Sequence, residues 1–385
     1  MRDVMTLRVK YADSNRYERP YLVLGEDRQL EISFDELSHN THQYSYTVIH
    51  CNSDWKQSQL LSSDYLHGFT HADITDYDYS VNTQQLYTHY RFLIPNEDMQ
   101  ITASGNYTIK IYEDGDENRT VGYVCFQVVE PLVKIDCRQR ANTDIELYGR
   151  YQQLDIDVST GNLKLVNPQN DIKIVVQQNG RLDNQVYTPQ PTYIEANKIR
   201  YINCKDLIFE AGNEYRHFDI SSLYFMGNNV DRIHFDRSYY YAYLFTDESK
   251  AEKEYISEFD NNGGYIINAE RSEDDDYEAD YMFVFFSFSV QPQFLGNVYI
   301  LGDLTYNQFD RSSRMEYQNN SYYGSLYLKQ GGYDYSYVIK SDKEPQAISE
   351  VTEGNHWQTS NEYRIYVYYR PFGSRADRLV GIGVY

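Results

Sequence analysis

The chain has 385 residues, with 35 Lys+Arg against 57 Asp+Glu, a formal net charge of −22 at pH 7. That excess of negative charge excludes nucleic acid, whose phosphates need a positive footprint, and a grip on anionic lipid, which needs Lys/Arg clusters. The length predicts several domains and ample core. The 42 tyrosines, beside 17 Phe and 2 Trp, favour strands.

Met1-Arg2-Asp3 shows no leader and runs straight into an alternating segment at Thr6–Val9. Leu30–Phe34, Tyr44–His50, Tyr107–Tyr112 and Val121–Val128 alternate as strands do, separated by Gly-, Asn- and Asp-rich turns. This pattern predicts an immunoglobulin-like sandwich over residues 1–130, ended by Glu130-Pro131. A middle β-rich domain is expected over 131–279, with strands at Leu154–Val158, Ile172–Gln177, Ile199–Ile202 and Tyr239–Phe245. The acidic run Glu273–Asp276 reads as a solvated loop, and Ser249–Ile256 as the best short helix. A C-terminal early-set-like sandwich is expected over 280–385. It starts with the dense apolar run Met282–Val290, read as a strand buried on both faces. Its other strands are Val298–Leu301, Tyr322–Leu328, Tyr333–Lys340, Tyr363–Tyr369 and Leu379–Tyr385. The fold class is thus all-β, a tandem of β-sandwiches. The longest apolar stretch, Tyr281–Val290, is too short for a spanning helix, so no direct membrane insertion is expected.

Chemistry-bearing motifs are sparse. Cys51, Cys125, Cys137 and Cys204 form no CxxC pair, which speaks against zinc and leaves disulfides or buried thiols open. His50 and Cys51 are neighbours on a strand and point to opposite faces, so they cannot pair as a nucleophile and its base. Glu258–Gly263 loosely resembles the start of a calcium loop, but Glu258 stands where Asp is needed and Ala269 where Glu is needed. A tight Asn-Gly turn explains it better. No catalytic residue, cofactor or metal is expected, and the protein is read as a non-enzyme. Tyr87-Thr88-His89-Tyr90 and Tyr239-Tyr240-Tyr241 are candidate partner-binding faces, since tyrosine offers large contact area at low entropic cost. The competing reading packs alternate rings inside a sandwich.

An ordered series of segments resembles the plug-protein family of the type IX secretion translocon. It includes His50-Cys51-Asn52-Ser53-Asp54-Trp55, Tyr87-Thr88-His89-Tyr90, Ser104-Gly105-Asn106-Tyr107 and Gln177-Gln178-Asn179-Gly180-Arg181. It continues through Gly212-Asn213-Glu214-Tyr215-Arg216, Glu353-Gly354 and Asp377-Arg378-Leu379. Two departures are the missing leader and Tyr215 where Phe is expected. The resemblance implies a periplasmic protein, peripheral to the outer membrane. It would bind the periplasmic opening of a very large outer-membrane β-barrel and seal it between cargoes. It supplies no catalytic residues. Trp55, Tyr87, His89 and Tyr90 are the candidates for partner contact, although Trp55 also reads as a core ring. The alternative is a carbohydrate-binding module: Val298–Asp303 through Tyr333–Tyr337 resembles early-set sandwiches that stack glucans on exposed aromatics. Phe309 is the nearest ring to the Gly302-Asp303 turn.

Overall fold

The structure is a computed structural model that describes residues 4–14 and 16–385. Met1–Asp3, on which the reading of the chain's start rests, lie outside the described residues. The chain is all-β, as expected: six sheets of four to six strands pack in three face-to-face pairs, with one further two-stranded ribbon. Helices are single turns, such as Ser62–Tyr65, Pro168–Asp171 and Asp275–Glu278. Ser249–Ile256 is not helical; it holds only a turn closed by Lys253 N–H donating to Lys250 O (3.0 Å).

The first sandwich is built as the alternation dictates. Strand Leu30–Glu36 pairs antiparallel with Val4–Tyr11 and with Thr88–Ile94, and faces a sheet centred on Tyr44–Cys51 and Gly105–Glu113. Its core holds Ile32, Phe34, Tyr44, Tyr90, Tyr107 and Ile109, all fully buried. Every core residue of this sandwich falls between Tyr11 and Val128.

The other two sandwiches do not follow the expected division at 279/280. Tyr363–Tyr369 hydrogen-bonds along its whole length to Ile172–Gln178, and Arg378–Val384 pairs with its far side. The middle core therefore joins Leu154, Ile156, Ile174, Val176 and Leu207 to Ile365 and Val367. Residues 218–279, expected in the middle domain, instead pack with 282–339 around Phe218, Met282, Phe286 and Tyr335. The physical reason is burial. Ile172–Gln178 is buried at the five consecutive positions Ile174–Gln178, so its edge N–H and C=O groups need partners; Val186–Tyr187 covers two residues on one edge, and Tyr363–Tyr369 pairs along the whole of the other.

Tyr363–Tyr369 is itself wholly buried. One face enters the middle core, and Tyr366 and Tyr368 face Val129 and, beside it, Tyr21 and Val23 of the first sandwich. The Glu130-Pro131 junction is strapped onto the last strand through Glu130 N–H to Leu379 O (2.9 Å) and Leu132 N–H to Val380 O (2.9 Å).

Candidate interaction surface

Tyr87, His89 and Tyr90 are not on an open surface. Tyr90 points into the first core, stacked 5.2 Å from Phe34 and edge-on to Tyr44 at 4.8 Å. Burial raises its hydroxyl pKa to about 12. Tyr87 and His89 lie under the third sandwich and are equally buried. Tyr87 O–H donates to Ala279 O (2.8 Å), and His89 Nδ1–H donates to Asp35 Oδ1 (2.6 Å). Trp55 is half-buried on a turn with φ 60°, held by its N–H to Asn52 O (2.9 Å), so it is not a core ring.

What these residues build is a buried polar joint between the first and third sandwiches. Asp35, 0 % exposed, also accepts from Lys329 Nζ (2.7 Å) and from Tyr281 O–H (2.6 Å), both reaching across from the third sandwich. Lys329 donates to Asp276 O (2.5 Å) and sits 4.2 Å from the centre of the Tyr87 ring. Burial pushes the Asp35 carboxyl up, but Lys329 and His89 outweigh it and hold the group below its usual range. Burial pushes the Lys329 ammonium down. Asp276, from the acidic run expected to be solvated, is instead bound by Arg8 and Lys10 of the first sandwich. Burial would raise it, but Arg8, His89 and Lys10 hold it well below the usual range.

Two further joints collect the motif residues. Asp377, 1 % exposed, accepts from Ser53 N–H (3.0 Å), Ser53 Oγ–H (2.7 Å) and Lys173 Nζ (3.1 Å), tying the first sandwich to the middle one. Beside it, Tyr368 O–H donates to Asn106 Oδ1 (2.8 Å). At the meeting point of all three sandwiches, Arg19 donates to Glu362 (3.2 Å), to Asn262 O (3.0 Å) and to Asp303 (3.4 Å). Gly180 permits this: a Cβ there would lie 2.4 Å from Arg19 Nε. Ser53, Tyr87, Gly180 and Asp377 of the motif series thus belong to joints inside the molecule, whereas Asp54 is exposed and Trp55 half-buried.

One aromatic surface left open is the outer face of the six-stranded sheet. Strand Tyr281–Ser289 is not buried on both faces. Met282, Val284, Phe286 and Phe288 enter the core, while Phe283 and Phe285 are half-exposed on the other side. The parallel register sets Tyr241 beside Phe283 and Tyr243 beside Phe285. The antiparallel register on the other flank sets Tyr327 beside Phe283. At the sheet edge, His234 and Arg232 align with Tyr241 and Tyr243. The result is rows of rings across the strands: Tyr241–Phe283 at 5.7 Å, Tyr243–Phe285 at 4.9 Å and Phe283–Tyr327 at 4.5 Å between centroids. Tyr239 and Tyr323 flank them at 42 % and 45 % exposure. The first of the candidate faces was therefore internal, and the second, Tyr239–Tyr241, borders the exposed one.

Other candidates are occupied. Phe309 has Tyr299 at its edge (5.4 Å) and Lys340 over its face (5.6 Å), and Asp303 of the Gly-Asp turn binds Tyr17 and Arg19. The other ring at that turn, Tyr306, is 52 % exposed, and its hydroxyl accepts from Leu7 N–H (3.0 Å) of the first sandwich. Asp260 in the calcium-like segment accepts from Asn262 N–H (2.9 Å) and Tyr215 N–H (2.5 Å). Among the described residues no group of three or more His, Cys, Asp or Glu is placed to hold a metal. A cavity of about 280 Å³ opens beside Arg216, whose guanidinium is already spent on Glu353, Asp247 and Glu248 O. All four cysteines are free thiols. Cys51 and Cys125 stand on the two strands flanking Gly105–Glu113. Two strand spacings, about 9–10 Å, exceed the ~7 Å that a disulfide spans.

Residues 4–130 match the family model "Type 9 secretion system plug protein 1st domain". Among solved structures, the chain is similar to a crystal structure of a hypothetical protein from Parabacteroides merdae ATCC 43184. The two are 39% identical, with a TM-score of 0.96 over 99% of this chain and 96% of that one. No curated protein matches.

Proposed function

The chain belongs to the plug-protein family of the type IX secretion system, and from that membership we propose that it closes the periplasmic opening of the system's large outer-membrane β-barrel while no cargo is passing. Its role lies in type IX secretion; the partner, the compartment and the sealing are the proposal. The observation that carries it is the match of the whole first sandwich, residues 4–130, to the plug model. The architecture supports it. A stopper must hold its shape, and the three sandwiches are fixed to one another by buried joints at Asp35, Asp377 and Arg19. The protein then works by shape and contact, without catalysis, as a periplasmic protein peripheral to the outer membrane. Among the described residues no helix is long and apolar enough to cross a membrane.

The test is a clean chromosomal deletion scored by entry of normally excluded solutes, alongside capture of the tagged protein from mild-detergent envelopes. A leaky outer membrane and recovery of a very large barrel protein are expected. An intact barrier with the barrel still produced, and no barrel recovered, would overturn the reading.

A further inference from the structure

We infer that the aromatic face of the six-stranded sheet is the surface that meets the barrel, and that the segment seated on it presents a carboxylate to Arg232. This rests on the plug reading and adds the surface and the chemistry of its partner.

Three observations carry it. The first is what the rings expose. Tyr241 and Phe283 are parallel within 18°, and Tyr243 and Phe285 within 12°. Ring faces are therefore spent on each other, which leaves ring edges exposed, and Tyr241 O–H donates to Asp236 Oδ2 (2.8 Å). Sugars stack on free ring faces, so this surface suits protein side chains better than glycans. Clustered tyrosine with arginine is also the composition of protein-binding hot spots.

The second is continuity with an interface that already exists. The row before these, Tyr281 with Lys329, is covered by the first sandwich at Asp35. Tyr327 O–H donates to Gln85 Oε1 of the first sandwich (2.9 Å). One end of the face is thus already sealed by a carboxylate-bearing protein surface, and the open row Phe285–Tyr243 repeats the same pattern, aromatic rings ending in a cation, Arg232.

The third is charge. In a chain of net charge −22, Arg232 is exposed and has no carboxylate partner among the described residues. It lies over the Tyr243 ring, 4.2 Å from its centre. A guanidinium so oriented fits a carboxylate. Strand Val230–Phe235 is a sheet edge bearing Asp231, Arg232 and His234, a pattern that discourages strand addition, so the partner lies on the face.

The test places a photoreactive benzoyl-phenylalanine at Tyr239, at Tyr323 and, as a control on the middle sandwich, at Val166, which is 82 % exposed. Cross-linking in cells should join the first two positions, and not Val166, to the barrel. In detergent, Arg232→Glu should weaken capture of the purified barrel at least tenfold with an unchanged melting temperature. If Arg232→Glu lowers the melting temperature, the cross-linking, which keeps Arg232, decides alone. Cross-links from Val166 only, or full binding by a stably folded Arg232→Glu, overturn the assignment while the plug reading stands. Cross-links between copies of the chain, or glucan-oligosaccharide heats lost in Arg232→Glu, reassign the face and overturn it. Failure of the wild type to capture the barrel overturns both readings together.

Discussion

Lys329 carries its ammonium at 0 % side-chain exposure, and Asp35 is its nearest carboxylate. Such a pair gives little net stability relative to an apolar isostere, but removing one partner strands the other. Lys329→Met should therefore destabilise the protein by about 3–5 kcal/mol, and adding Asp35→Asn should restore a large part of it. Denaturant unfolding of the two singles and the double closes the cycle; additive losses would show that the pair does not interact as described. Asp260 gives a pH signature of opposite sense. Burial first, then repulsion from Asp334 and Glu214, raises its carboxyl to about 6 despite N–H donors from Asn262 and Tyr215. The folded state then binds this proton more tightly than the unfolded chain, whose pKa is about 3.9. Stability from this group is fully present below about pH 4 and declines by about 3 kcal/mol as pH rises through about 6. The melting temperature of the wild type relative to Asp260→Asn should fall between about pH 4 and 6 and stay level above; parallel curves would refute it. Alternation in Tyr87–Tyr90 told which side chains point inward. It could not tell that the outward ring of Tyr87 meets Ala279 O and Lys329, because nothing local encodes a lid 190 or more residues away.

At the scale of elements, strand positions were legible and strand partners were not. Every expected strand is present, since period-two alternation and turn residues are local signals. Tyr363–Tyr369 reads YRIYVYY, which says buried on both faces but not beside what. It was assigned to the sandwich just before it in sequence, and it belongs to the one that begins near residue 131. Tyr281–Ser289 shows the converse: its composition suggested burial on both faces, yet only one face is in the core. Aromatic side chains cover a half-exposed face with their own neighbours, and composition alone does not separate that from burial. The partnership makes a prediction. Ile365 is fully buried in the middle core, so Ile365→Ala should cost about 2–5 kcal/mol. Hydrogen exchange should quicken in Tyr151–Ser159 and Ile172–Gln178 and stay unchanged in Ser321–Lys340. Faster exchange in the latter pair of strands alone would place the hairpin in the wrong core.

For the whole molecule, the question is whether three sandwiches move as one. Each has its own core, so each can persist when the joints are cut. The joint at Arg19 is the one that touches all three: its guanidinium bridges Glu362 of the middle sandwich with Asn262 O and Asp303 of the third, and its own carbonyl accepts from Arg364 (2.6 Å). These partners lie 243 to 345 positions away along the chain, which is why no reading of local pattern exposes them. Arg19→Ala removes three charge-assisted contacts while leaving each core untouched. It should cost about 1–3 kcal/mol and act on the arrangement more than on the folds. In small-angle scattering the variant should show a larger radius of gyration and a broader distance distribution, with unchanged strand content by circular dichroism. Gly180→Ala should reproduce this from the other side, because its Cβ would occupy the space of the Arg19 side chain and its φ of +70° adds strain. If both variants keep the compact scattering profile, rigidity resides in the Asp35 and Asp377 joints alone. A plug that needs all three sandwiches in fixed relation should leak in the Arg19→Ala strain even though the protein is made at normal levels.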